Sequence, residues 1–254
     1  MQIKELIEGI FLERPNRFTV LFQDRRDSKD ADPKLAHLRD PGRLKELLYP
    51  GAKLILRKAV DNPKRKTKFD VIGVFKDNLW VLINSGFHSD LAAELIESGL
   101  VDEFKGFSIE RREYAFGKSR LDFLLKPNDD SMPDLKKMLV EVKGCTLVED
   151  EWARFPDAPT IRGKKHVEEL IYSLDKGFES SVLFLILKED AKVFSPNNDT
   201  DPDFSSALQE AQEKGVNIIP FVFKTENING SLIIKPIKKI NVDFKKIMDK
   251  LKNK

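Results

Sequence analysis

The sequence predicts a mixed α/β (α+β) protein in two domains, 1–85 and 86–254, and three observations carry that prediction. Short strand-like runs separated by turns fill the first third, helices and strands alternate after about residue 85, and two apolar runs in the second part carry isolated charges.

The first part contains strand-like runs at 17–22, 53–57, 69–74 and 79–83, a spacing that favours a small all-β barrel or sandwich. Within it, residues 40–51 read as a turn, one short helix and a second turn. In the second part Ser89 is a helix cap, and Leu91, Glu94, Leu95 and Leu100 mark an amphipathic helix ending near Gly99. Strands are predicted at 107–116, 120–126 and 138–148, followed by a helix over 162–176. A strand at 182–187, a helix over 203–214 stopped by Gly215, and a strand at 216–223 come next. The last dozen residues read as a basic, fraying helix. A central mixed sheet with helices on both faces accommodates this order.

Composition narrows the function classes. With 254 residues, 41% hydrophobic and 34% charged, the chain reads as a globular, non-membrane protein. No apolar run approaches the roughly 20 residues that span a bilayer, and the start lacks the order of a signal peptide, so a cytoplasmic location is expected. The single cysteine, Cys145, excludes an intrachain disulfide and a cysteine-rich zinc site, and His37, His88 and His166 are scattered. A bound metal would therefore be held by oxygen, which points to Mg2+ or Mn2+. The net charge of +2 argues for no polyanionic partner by itself, but its distribution does more. Residues 57–68 carry six positive charges, Arg57, Lys58, Lys64, Arg65, Lys66 and Lys68, against Asp61 alone, on a turn between two strands.

The chemistry-bearing runs are Ser119-Arg120-Leu121-Asp122-Phe123-Leu124-Leu125 and Met138-Leu139-Val140-Glu141-Val142-Lys143-Gly144. Both read as buried strands, where an unpaired charge costs several kcal/mol, so three charges need a reason. Alternation puts Glu141 and Lys143 on one strand face, roughly 7 Å apart by the rise per residue. The polar linker at 127–133 makes the strands hairpin neighbours, which brings Asp122 towards Glu141. Two readings stand on spacing alone. Asp122 and Glu141 ligate a divalent metal while Lys143 orients water or offsets developing charge, as phosphodiester hydrolysis requires. Alternatively, Asp122 or Glu141 pairs with Lys143 or Arg120 for structure only.

An Asp about 19 residues before Glu-Val-Lys, with a helix and a further strand behind, resembles the PD-(D/E)XK nuclease superfamily. More closely, the chain resembles the sugar fermentation stimulation protein A (SfsA) family from Arg17 to the strand near Phe223. The two runs above carry that resemblance together with Asn62-Pro63-Lys64-Arg65-Lys66, Ile109-Glu110-Arg111-Arg112-Glu113 and Phe155-Pro156-Asp157-Ala158-Pro159-Thr160-Ile161-Arg162-Gly163-Lys164-Lys165-His166. The chain departs from the family at Arg39-Asp40-Pro41-Gly42-Arg43-Leu44, where the common form is Asn-Thr-Gly-Ser-Met. The resemblance implies an N-terminal OB-like barrel, a nuclease-like domain, sequence non-specific DNA binding and a regulatory role in sugar metabolism. It implies nuclease activity only through the superfamily motif, matched by Asp122, Glu141 and Lys143. A catalytically inert DNA-binding regulator and an RNA-processing nuclease are the rival readings.

Lesser candidates follow. The 57–68 loop could grip successive phosphates or be merely solvated. Phe69 and Trp80 offer stacking faces, with core packing the favoured reading. Arg162 and His166 lie beside the apolar stripe of the 162–176 helix, facing either phosphate or a capping cluster, while Lys164–Glu168 and Lys165–Glu169 are i,i+4 pairs. Glu94 is a candidate additional acid. Glu110 and Glu113 are expected to pair with Arg111 and Arg112, and Cys145 to be a small buried residue.

Overall fold

The computed structural model describes residues 1–28, 30–128 and 136–244. Two compact units emerge: the first takes Met1–Phe87, Leu187–Glu189 and Phe223–Ile237, the second His88–Ile186, Asp190–Val222 and the described residues from Lys238 onward. The expected C-terminal helix and most of the 127–133 linker lie outside the described residues.

The first unit opens with strands β1 (Gln2–Ile3), β2 (Leu6–Asn16), β3 (Thr19–Asp24), β4 (Lys34–His37), β5 (Lys53–Lys58), β6 (Phe69–Lys76) and β7 (Leu79–Leu82). Antiparallel ladders join β4 to β3, β3 to β2, β2 to β5 and β5 to β6. Parallel pairing of Ala36 with Phe69 and His37 with Asp70 then closes β4 onto β6, leaving a five-strand barrel without a free edge. The period-2 pattern of β3 turns Val20 and Phe22 inward, and they are fully buried with Leu54, Leu56, Val71 and Ile72. Gly9 lets β2 cross closely over this core, since a Cβ there would stand 2.6 Å from the Phe22 ring. Residues 17–22, expected as one strand, are split: Arg17 and Phe18 form the turn between β2 and β3. The expected helix within 40–51 is a run of turns. Leu44 sits at φ 50°, a left-handed conformation that stops a helical turn from propagating, although Leu48 N–H still reaches Leu44 O at 2.8 Å.

The second unit begins with α1 (His88–Glu97), so Ser89 lies inside the first turn rather than capping it. Strands β8 (Phe107–Phe116), β9 (Ser119–Pro127) and β10 (Met138–Cys145) form an antiparallel meander. After β11 (Val148–Glu149) and β12 (Trp152–Phe155), the crossover helix α2 (Ile161–Leu174) leads to β13 (Glu179–Ile186), which runs parallel to β10. Next come β14 (Val193–Pro196), α3 (Pro202–Glu213) and β15 (Asn217–Ile228), whose residues Asn217 to Val222 pair parallel with Ser181 to Ile186. The mixed sheet of this unit thus orders β8-β9-β10-β13-β15, the nuclease-like arrangement the resemblance implied. The last described strands are β16 (Ser231–Lys239) and β17 (Asn241–Val242); β16 pairs with β1, and β17 joins β11, β12 and β14 in a small second sheet.

Helices cover both sheet faces. Val167 and Leu170 of α2 pack with Leu124, Leu139, Val182 and Phe184 in one buried cluster, the face that also carries Glu141. On the other face Gly144 admits α1, because a Cβ there would fall 2.1 Å from His88 Cε1. Among the described residues no helix is long and apolar enough to cross a membrane.

Candidate functional site

The β9–β10 register pairs Phe123 with Val140 and Leu124 with Leu139, which sets Asp122 beside Glu141. A carboxylate oxygen of Asp122 accepts the Val142 backbone N–H at 2.7 Å, taking the place of a ladder partner. Glu141 is 3% exposed and its Oε1 accepts from Lys143 Nζ at 2.5 Å and from His166 Nδ1 at 2.5 Å. A carboxylate can only accept, so the imidazole proton sits on Nδ1 and Nε2 is left as an acceptor, 3.4 Å from Arg162 Nε. Glu141 Oε2 is buried and has no hydrogen-bond partner among the described residues.

The electrostatics of the two acids are opposed. Burial, and then the neighbouring Glu141 charge, push the Asp122 carboxyl up to about 7, against the pull of the Val142 N–H and Lys143. Burial also resists ionisation of Glu141, but Lys143 and His166 outweigh it and hold that carboxyl below its ordinary value. One acid is therefore fixed as an anion and the other is poised near neutrality, separating the pair's protonation states.

His166 reaches Glu141 because the start of α2 is pinned twice. Thr160 caps the helix by accepting Gly163 N–H at 3.0 Å on Oγ1. Its own N–H goes to Asp201 Oδ2 at 2.7 Å, while Asp201 Oδ1 caps α3 by accepting Phe204 N–H at 3.0 Å. One buried carboxylate thus ties the first turns of two helices. Residues 201 and 202 announce the α3 cap in sequence as Asp-Pro, but the link to Thr160, 41 residues away, has no sequence signal.

Several pairings differ from expectation. Glu110 pairs with Lys137 and Arg112 with Asp90, because alternation on β8 carries neighbouring residues away from each other. Lys165 donates to Lys118 O and Glu169 accepts Lys118 N–H, so these two clasp the β8–β9 turn instead of each other. Lys164 does meet Glu168, at 3.9 Å, and Asp203 as well. Glu94 stands exposed on α1, the helix that packs on the sheet face opposite Glu141. Cys145 is buried with Sγ 3.3 Å from Arg154 O.

In the basic loop, Arg65 is committed inward to Asp70 and Thr67, and Arg57 stacks over Phe87 at 5.5 Å. Lys58, Lys64, Lys66 and Lys68 are exposed and make no ion pair among the described residues. Phe69 packs edge-on to Phe22, and Trp80 against Phe75 at 5.1 Å, and both residues are half-buried.

An OB-type barrel followed by a mixed sheet bearing Asp, Glu and Lys on adjacent strands defines an OB-barrel protein with a nuclease-like domain. Residues 12–83 match the SfsA N-terminal OB domain, and residues 86–229 match the sugar fermentation stimulation protein RE domain. The chain belongs to the SfsA family. It is 54% identical over 95% of its length to a sugar fermentation stimulation protein homolog of Methanothermobacter thermautotrophicus, covering 95% of that protein. It is 47% identical over 96% of its length to the homolog of Methanosphaera stadtmanae, covering 98% of it. The solved structure of Pyrococcus furiosus SfsA in complex with Ca2+ is similar at TM-score 0.83 and 28% identity, covering 96% of this chain and 98% of that one.

Proposed function

We propose that this protein binds DNA without sequence preference and that its second unit holds a divalent-metal phosphodiesterase site. The observation that carries the reading is the pairing of Asp122 with Glu141, whose Oε2 is buried without a partner among the described residues. An unsatisfied carboxylate oxygen costs roughly 1–3 kcal/mol or more, which a cation would offset. The donor set is oxygen only, as Mg2+ or Mn2+ prefers, and the Ca2+ complex of the Pyrococcus furiosus relative supports a hard cation in this family. Among the described residues no group of three or more His, Cys, Asp and Glu is arranged to hold a metal, so the two carboxylates would share the ion with water and phosphate oxygens.

Asp122 and Glu141 would hold the ion, which when bound polarises a phosphate oxygen and acidifies a water. Each protein group has a distinct task. Glu141 stays ionised, its orientation fixed through Oε1 by His166 and Lys143. Lys143, with 14% of its side chain exposed, presents an ammonium to the developing phosphate charge or to the attacking water. Asp122 gives up its proton to become a ligand, so occupancy rises with pH through about 7. Arg162, exposed at the start of α2 with its Nε 3.4 Å from His166 Nε2, would add a guanidinium for backbone contact. Lys58, Lys64, Lys66 and Lys68 grip duplex backbone from the barrel.

The test is cleavage of plasmid and single-stranded DNA, and of RNA, with Mg2+, Mn2+ or chelator, comparing wild type with Asp122→Asn and Lys143→Met. Metal-dependent nicking lost in both variants supports the enzyme. Binding without cleavage, equal in wild type and variants, leaves the inert regulator as the correct reading.

A further inference from the structure

The turn between β2 and β3 is held far more firmly than a surface turn requires. Arg14 donates to four backbone carbonyls, those of Arg43 at 2.6 Å, Arg17 at 2.7 Å, Gly42 at 2.9 Å and Asp40 at 3.4 Å. Arg17 adds Nε to Pro41 O at 2.9 Å. Two guanidiniums therefore lock the 40–43 loop, the segment where the sequence departs from the common family form, against the turn at 14–18. Asp40 finishes the loop by accepting Gly42 N–H at 2.7 Å, and Asn16 Oδ1 finishes the turn by accepting Phe18 N–H at 3.0 Å. His37 Nδ1 and Leu38 N–H both meet Phe18 O, at 3.1 and 2.9 Å, which fixes the backbone of Phe18 on the barrel.

The residue so carefully fixed is an aromatic that faces out. Phe18 is 47% exposed, whereas the stability of the barrel would favour burying it. The Arg17 guanidinium lies 5.7 Å from its ring centroid, and the His37 ring 6.4 Å away at 35° to it. Arg17 is exposed beside it, and the Asp40 carboxylate is already used within the neighbouring loop. An exposed ring with a guanidinium beside it, on a turn whose backbone is held in place, is complementary to an unstacked nucleobase and its phosphate. A duplex hides its base faces, so such a surface selects single strands or unpaired ends.

We infer that Phe18, flanked by Arg17 and His37, is a stacking platform for an unpaired base of single-stranded nucleic acid. This rests on the proposed DNA binding and adds to it a substrate class and a surface separate in sequence from the 57–68 loop. It also reassigns the stacking role from Phe69 and Trp80, which are half-buried against other rings, to an aromatic that is 47% exposed. Rigid presentation matters because ordering a floppy aromatic on binding would cancel much of what stacking gains.

The test measures binding of the full chain to a fluorescein-labelled thymidine oligonucleotide and to a duplex of mixed sequence, with chelator present to prevent cleavage. Phe18→Ala and Phe18→Leu should weaken single-strand binding roughly tenfold while changing duplex binding less than twofold, and Phe18→Trp should retain it with fluorescence quenched on binding. Phe18→Leu keeps apolar volume, so matched unfolding midpoints for it and wild type separate loss of stacking from loss of fold. Equal losses for single strand and duplex, or no loss in either variant, overturn the inference. Wild type that binds duplex but not single strands overturns it while leaving DNA binding intact, and wild type that binds neither overturns both. Single-strand binding unaffected by Phe18→Leu, alongside capture of an acidic peptide that the variant loses, would assign the platform to protein instead.

Discussion

Glu141 and His166 meet at 2.5 Å across 25 residues of sequence, both nearly fully buried, and the bond fills only one oxygen of the carboxylate. His166 is thus a positioning group for Glu141. Removing it by His166→Ala leaves Oε1 with Lys143 alone and frees the carboxylate to rotate. A loss of roughly 1–3 kcal/mol in urea unfolding is expected, with a larger fractional loss of divalent-cation affinity than of DNA affinity. Unchanged cation affinity would reduce His166 to a packing residue.

The tie between Asp201 and Thr160 makes a remote prediction. Asp201→Asn keeps one acceptor but turns an N–H2 towards either Thr160 N–H or Phe204 N–H, so one helix start loses its partner. Stability should fall by about 1–2 kcal/mol, in the range of a lost cap. The His166 Nδ1 proton, protected from exchange in wild type by Glu141, should exchange faster in the variant. Protection equal to wild type at reduced stability would confine Asp201 to helix capping.

His88 supplies a pH dependence. Burial against Gly144 pushes its imidazole down to about 4, and its Nε2 is enclosed without a partner among the described residues. The unfolded chain binds the proton near pH 6.5 and the folded chain does not until about 4, so the unfolded state takes up more protons in that window. The His88 contribution to stability is therefore full above about pH 6.5 and is lost as pH falls towards 4, by up to about 3 kcal/mol, while Asp122, raised to about 7, works in the opposite direction over the same window. Unfolding midpoints of wild type and His88→Phe between pH 4 and 7 check this: wild type should lose stability relative to the variant as pH falls, and a difference that does not change with pH would mean that His88 is not responsible.

The basic loop predicts a salt effect. Lys64→Glu with Lys66→Glu should lower the slope of log affinity for duplex DNA against log salt by roughly two, since two fewer counterions are released. Arg65→Ala should instead destabilise the loop, because that side chain is spent on Asp70. An unchanged salt slope in the double variant would remove the loop from the interface.

Much of this arrangement was legible in the chain, and the exceptions have local causes. The alternation of residues 138–145 placed Glu141 and Lys143 on one face, and the hairpin put Asp122 beside them, because period and register are local properties of short strands. His166 and Arg162 could be named as candidates from the helix stripe, but the Glu141 contact depends on how α2 is docked. The β2 strand has a weak sequence signature because Glu13, Arg14 and Pro15 disguise its end, and the pattern of 40–51 suggests a helix that does not form because Leu44 adopts a left-handed conformation its side chain does not advertise. Proximity in sequence suggests that Glu110 and Glu113 pair with Arg111 and Arg112, whereas the fold brings Glu110 to Lys137 and Arg112 to Asp90.

The central claim is that Asp122 and Glu141 share a divalent cation. Calorimetric titration of Mn2+ into the metal-free protein at pH 8, where Asp122 is ionised, tests it without reference to cleavage. Wild type should bind one ion, and Glu141→Gln and Asp122→Asn should each bind at least tenfold more weakly with unfolding midpoints showing the fold intact. Wild type that takes up no Mn2+ at millimolar concentration, or variants that bind as tightly as wild type, would contradict the account.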